Sequence, residues 1–278
     1  MNITAVIPSL VEVDKDYLEL CVDSLRATVD WPIVVVTNGG RTTQPFPPGW
    51  STGRCTHLHT KQQGQCNAVN IGAQWAPPTT DYLFIINSDM YFPPGWDKNL
   101  KFKYPVFSPN LVEPINNSGS APPFLKADGG FNLEEFDSDL VDDYVKEMIK
   151  TEKGKTETGF NLPFFIRKDV WDTIGGYDVK YDPWGSNSDT DLQTKINLAG
   201  ITPRRLRDVL VYHFSNKSGT FDGTHQEAWQ KNWDYFDSKW GFNRDVLGSD
   251  VWYNKDMLPD AYDDSNFHPD WEMKYYEE

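Results

Sequence analysis

This 278-residue sequence predicts an α/β fold: a mostly parallel central sheet flanked by helices. Three observations carry that expectation. Ile3 to Ile7 and Ile33 to Val36 are short, β-branched, strand-like runs with a helix-like stretch between them, which is β–α–β order. The run Tyr82 to Ile86, "YLFII", is apolar apart from its tyrosine, as a strand covered on both faces should be. Polar clusters follow strands at Asn38-Gly39-Gly40, Asn87-Ser88-Asp89 and His213. Open α/β sheets bind ligands at just such carboxyl ends.

The elements follow in order. Pro8 stops the first strand. Residues 14–29 carry Leu18, Cys21, Val22 and Leu25 at helical spacing. Cys55 to His59 is a short edge strand, and His57 and His59 alternate on it as structural residues. A helix starts near Gln65, with Ala68, Ile71 and Trp75 on one face. Val106 to Val112 is strand-like, and 113–130 has loop composition. "LEEFDSDLVDDYVKEMIK" has acids early and lysines late, the order a helix dipole favours. "LPFFIRKDVWDTIGGYD" predicts a short strand and then a helix from about Lys168, ended by Gly175-Gly176. "SDTDLQTKINLAG" predicts a helix capped by Ser188 or Asp189 and closed by Gly200. "DVLVYHF" is the last core strand, and Arg204, Arg205 and Arg207 before it are expected on a solvated helix-to-strand face, the alternative being that one of them reaches phosphate. A helix after His225 places Trp229, Trp233 and Phe236 near one face, to pack over the fold. The boundaries expected are one catalytic domain over 1–244, with halves 1–100 and 101–244, and an acidic, aromatic extension over 245–278 packed on the surface.

Bulk properties narrow the function. The formal charge is −15, from 41 acidic and 26 basic residues, which argues against nucleic acid as a partner. Three cysteines leave one over from any disulfide, so reduced thiols and a cytoplasmic location are expected. The opening MNITAVIPSL has neither a basic segment nor a long apolar stretch, so no signal peptide is expected. No apolar run is long enough to span a bilayer. Nothing in the sequence selects an oligomeric state.

Asp89 and His213 both follow apolar strands, and together they offer an oxygen and an imidazole to one divalent cation. Water and diphosphate oxygens would complete the shell of Mg²⁺ or Mn²⁺. The alternative for His213 is a strand-end histidine satisfied within the fold. "DVKYDPWGSNSD" has calcium-loop composition but lacks the EF-hand spacing.

Five segments, taken in order, resemble the GT-A fold nucleotide-sugar glycosyltransferases, above all the inverting family 2. "TAVIPSL" resembles the first strand, and "PIVVVTNGG" the second strand with its Asp-Asp-Gly-Ser end. "GQCNAVNIG" is similar to the Gly…Ala-x-Asn-x-Gly helix start through Gly64, Ala68, Asn70 and Gly72. "FIINSDM" resembles the strand that ends in Asp-x-Asp. "FFIRKDVWDTIGGYDVKYDPWGSNSDTDL" is similar to the acceptor-side segment with its Glu-Asp-x-Asp-Leu end. The resemblance covers about 240 residues, Asn2 to about Gly241. Three positions depart from it: Asn87 replaces the first Asp of Asp-x-Asp, Ser188 replaces the Glu, and Thr37-Asn38 replaces the base-contacting acids.

The resemblance implies transfer of a sugar from a nucleoside diphosphate to a hydroxyl of a carbohydrate acceptor, with inversion. It implies Pro8, Ser9, Asn38 and Gly39 near the nucleotide, together with Gln65, Asn70, Asn87 and Ser88. Asp89 and His213 become metal ligands for Mn²⁺ or Mg²⁺, and Lys217 with Ser218 would meet diphosphate oxygens. Asp189 is the implied general base, alone or while also capping its helix, and Asp191 orients the acceptor or the helix start. Trp184 either stacks on a sugar face or belongs to the core. The rival readings are a retaining enzyme of the same fold and a carbohydrate- or nucleotide-sugar-binding protein without turnover. A nucleotidyltransferase would need a glycine-rich basic loop after its first strand, and a Rossmann dehydrogenase Gly-x-Gly-x-x-Gly; "PSLVEVDKD" has neither.

Overall fold

The computed structural model describes residues 1–39, 54–115, 124–215, 217 and 224–240. The chain opens with β1 (Ile3–Ser9), α1 (Val11–Thr28), β2 (Ile33–Asn38), β3 (Cys55–Thr60), α2 (Gln65–Trp75) and β4 (Tyr82–Ile85). There follow β5 (Met90–Tyr91), β6 (Val106–Pro114), β7 (Leu125–Ala127), α3 (Ser138–Thr151), β8 (Thr156–Thr158) and β9 (Phe164–Arg167). The described part closes with α4 (Lys168–Ile174), α5 (Ser188–Leu198), β10 (Arg204–His213) and α6 (Gln226–Trp240).

The ten strands of the described residues form one sheet, with the path β3-β2-β1-β4-β9-β6-β10-β5, and with β7 beside β6 and β8 beside β10. The first four are parallel, β9 runs against its neighbours, and β6 and β10 are parallel again. The chain leaves β1 for β2 on one side and returns to β4 on the other. The carboxyl ends of β1 and β4 therefore part, and a crevice opens between their loops.

Side chains alternate across the sheet. Ile3, Ala5 and Ile7 of β1 join Leu18, Cys21, Val22 and Leu25 of α1 on one face, where Phe84, Phe107 and Phe165 stack. Val6, Leu83 and Ile85 face the other way. There they meet Cys66 and Val69 of α2, Trp171 of α4, Leu192 and Ile196 of α5, and Phe236 and Trp240 of α6.

Several expectations are corrected. Trp75 is 61% exposed, because α2 buries the face carrying Cys66, Val69 and Ala73 and leaves the helix end outside. Arg204, Arg205 and Arg207 lie within β10 rather than in a helix-to-strand connection, and Arg205 is buried and pairs with Glu157 at 2.8 Å while Arg207 pairs with Glu152 at 3.1 Å. The cap of α5 is Asn187, in a left-handed conformation at φ 65°, and neither Ser188 nor Asp189 caps it. Within the loop-like stretch 113–130 the short strand β7 extends the sheet. The proposed extension over 245–278 lies outside the described residues.

Candidate functional site

A cleft of about 430 Å³ lies where the β1, β2 and β4 ends meet the start of α5. Ten of the residues expected at the site line it: Pro8, Ser9, Asn38, Gln65, Asn87, Ser88, Asp89, Trp184, Asp189 and His213. Gly39, Asn70, Asp191 and Lys217 do not. Gly40 and Ser218 lie outside the described residues.

The pairing of β5 with β10 puts His213 opposite Met90 and so brings its ring to Asp89. His213 Nε2 lies 3.4 Å from Asp89 Oδ1, while Nδ1 is 2.9 Å from Oε1 of the buried Glu113 at the end of β6. With Nδ1–H donated to Glu113, Nε2 is left facing Asp89. A carboxylate behind the far nitrogen is how metal-bound imidazoles are usually oriented. Cis ligands of an octahedral ion, at about 2.1 Å each, sit about 3 Å apart, close to the spacing of this pair. The donor set thus fits Mg²⁺ or Mn²⁺ with open positions for water or phosphate oxygens. Among the described residues there is no group of three His, Cys, Asp or Glu arranged around one ion position. Burial opposes charge on both groups, but each favours the other's charge: Asp89 is held below the usual carboxylate range and His213 is raised to about 9.

Behind Asp89 stands Asp14, buried where α1 departs from helical geometry. It accepts from Ser9 Oγ at 2.7 Å and from Ser88 Oγ, tying the β1 and β4 loops together. Burial raises its pKa, against those donated bonds. Asn38 makes a second tie: its Nδ2 donates to Ser9 O at 2.9 Å and its Oδ1 accepts from Gly64 N at 2.9 Å.

On the opposite wall, Asp189 is exposed to the cleft and accepts from Tyr177 Oη at 2.6 Å. The protein packed around it raises its pKa, outweighing the tyrosine bond. Asn70, expected near the nucleotide, instead grips the Tyr177 backbone from both ends of its amide, at 2.8 and 2.9 Å. Gly176 makes that grip possible, since at φ 66° a Cβ would run into Asn70 Oδ1.

Asp191 is corrected outright. It is fully buried behind α5, where Tyr181 Oη and Trp240 Nε1 donate to it at 3.2 and 2.9 Å and the Lys239 ammonium stands 2.7 Å away. Two residues along a helix turn about 200°, so Asp189 and Asp191 cannot share a face. The ammonium of Lys217 rests 3.3 Å from the centre of the Phe131 ring, and only its backbone N–H approaches Asp89, at 3.4 Å. Gly39 donates its N–H to Thr60 O at 3.1 Å and serves the β2 turn.

Residues 4–103 match the model of the family described as glycosyl transferase family 2. The fold aligns with GalNAc-T7, solved with UDP, GalNAc and Mn²⁺, at a TM-score of 0.55 and 16% identity over 77% of this chain and 44% of that one. It aligns with residues 1–349 of S. aureus TarS at 0.54 and 13% identity, over 78% of this chain and 61% of that one. The fold is GT-A, and the first hundred residues are similar to family 2 glycosyltransferases. The chain spans less than two thirds of either of these structures. A complex of TarS 1–349 with UDP-GlcNAc aligns over 91% of this chain at 0.52 and 12% identity. No curated protein matches it.

Three further parts of the site carried no clear sequence signal. Asp14 reads as one more acid on an amphipathic helix. Glu113 was legible only as an acid closing an apolar strand, "VFSPNLVEP". Trp229 and Trp233, on a helix expected to pack over the fold, also line the cleft. His225, just before their helix, stacks on Trp184 with ring centres 3.4 Å apart.

Proposed function

We propose that this protein is a metal-dependent, inverting glycosyltransferase that moves a sugar from a nucleoside-diphosphate sugar to an acceptor hydroxyl. One observation carries the reading: the Asp89–His213 pair and the Asp189 carboxylate open into the same cleft. The UDP, sugar and Mn²⁺ named in the GalNAc-T7 structure and the UDP-GlcNAc of the TarS complex are in keeping with such a donor.

In this reading Asp89 and His213 hold the cation, Glu113 fixes the imidazole, and Asp14 fixes the Asn87–Asp89 loop through Ser88. The bound cation would offset the charge that develops on the departing diphosphate. Asp189 takes the proton of the acceptor hydroxyl. Its raised pKa makes it a stronger base than a fully solvated carboxylate, and Tyr177 keeps it aimed. Inversion rests on the family. The free cysteines Cys21, Cys55 and Cys66 agree with a reducing, cytoplasmic setting.

The test is release of nucleoside diphosphate from a panel of nucleotide sugars, with Mn²⁺, Mg²⁺ or EDTA, for native protein and Asp89→Asn. Metal-stimulated release should vanish with EDTA and in the variant. Turnover unchanged by both would sink the metal site. Donor binding without acceptor-dependent turnover would leave a binding protein, and proton coupling at the product's anomeric carbon would decide inversion.

A further inference from the structure

We infer that α6 builds the acceptor subsite, a tryptophan platform for a neutral saccharide; this rests on the function proposed above. Asn232, Phe236 and Trp240, spaced by four, form the buried face of α6. Around that face the helix is anchored by Asn232 Nδ2 to Tyr181 O at 2.8 Å, Tyr235 Oη to Asp178 at 2.7 Å and Trp240 Nε1 to Asp191 at 2.9 Å. Trp229 and Trp233, one turn apart, are both half-buried and both line the cleft. Trp184 lines the same cleft from the loop before α5, one ring face covered by His225. Three indoles from two elements thus line the cleft that holds the Asp189 carboxylate.

The composition of the cleft selects the ligand. Flat indole faces pair with the C–H faces of pyranose rings, while a polar rim serves the hydroxyls. Ser186 Oγ and Gln65 Nε2 are buried in this lining and meet no hydrogen-bond partner among the described residues, so both remain for such a ligand. Asp14, Asp89 and Asp189 line the cleft, and among its described lining residues there is no lysine or arginine. In the function proposed above the cation at Asp89 and His213 is taken up by the donor diphosphate, so a uronate or a phosphorylated acceptor brought to Asp189 would meet like charge. The acceptor is therefore an uncharged sugar stacked against α6, its hydroxyl turned to Asp189.

The experiment pairs kinetics with binding. Trp229→Ala and Trp233→Ala should each raise the acceptor KM about tenfold. Saturation-transfer NMR on native protein with neutral methyl glycosides should mark the protons of one ring face, and the matching uronates should show no transfer. Unchanged acceptor KM in both variants, uronates bound as well as neutral glycosides, or no saturation of any neutral glycoside would each overturn the platform. If native protein hydrolyses no donor, the transferase reading fails on its own, and the NMR on native protein still decides the platform.

Discussion

Gly64→Ala tests how the two walls of the cleft are joined. Gly64 is the N-cap of α2 at φ 149°, a region that side chains rarely adopt, and a Cβ there would overlap the carboxyl group of Asp182. That carboxylate reaches across the fold to cap α2, accepting from Cys66 N at 3.0 Å and Asn67 N at 2.9 Å. These are the second and third helical positions, whose N–H groups lack partners within the helix. The backbone strain costs about 1–3 kcal/mol. Hydrogen bonds to a charged group are worth about 1.5–3 kcal/mol each. Water recovers part of that loss at a helix end, so one bond's worth is retained, and the expected destabilisation is about 3–5 kcal/mol. Urea unfolding followed by tryptophan fluorescence measures it. Adding Asp182→Gly to the Gly64→Ala variant should restore part of the loss, because the overlap goes with the carboxylate, giving a cycle that is clearly non-additive. A loss below about 1 kcal/mol, or strict additivity, would refute the account of Gly64.

Three other predictions follow from the same contacts. Glu113→Gln should weaken Mn²⁺ binding about 10–100-fold by calorimetry, since it alters the partner that orients His213; unchanged affinity would return Glu113 to a purely structural role. Asp189→Asn should reduce acceptor transfer by at least about 10²-fold with near-native melting. Asp191→Asn should show the reverse pattern, lowering stability by about 3 kcal/mol because the buried Lys195 loses its counter-charge and Lys239 is left with Asp178 alone; transfer and melting temperature, measured on both, decide between them. Asp182 has its pKa raised by burial to about 6, against the backbone N–H bonds it accepts. Native protein then holds a proton on Asp182 that the unfolded chain has released, so this group's contribution to stability falls as pH rises from about 4 to about 6. The full swing is about 3 kcal/mol, and Asp182→Asn should remove that slope from urea midpoints measured across the window.

Most of the scaffold was legible because it is written locally. The spacing of Leu18, Cys21, Val22 and Leu25 marked α1, and Gly175 marked the end of α4, which it closes in the left-handed conformation. Asp89 and His213 were legible because a polar residue after an apolar strand is conspicuous. What stayed hidden depends on contacts distant in sequence. Nothing local indicates that Asn70 holds Tyr177, or that Glu113 stands behind His213. The acids of "SDTDL" look equivalent as a motif, and only the helical turn between them sends one to the cleft and the other to the core. Trp229 and Trp233 read as packing residues for a similar reason: an indole that covers a core and one that lines a cleft have the same sequence signal.

The anchoring of α6 also sets a lower limit on the autonomous folding unit. Asp191 and Lys195 have no exposed side-chain surface, and both lie beneath α6, whose Lys239 and Trp240 reach Asp191 directly. A chain ended before Gln226 would uncover this ionic knot and Tyr181 together, and would leave α5 without its outer neighbour. Any shortened version meant to be soluble and competent must therefore run at least through Trp240. In an evolutionary sense, the acceptor wall and the rear of α5 would be expected to change in concert.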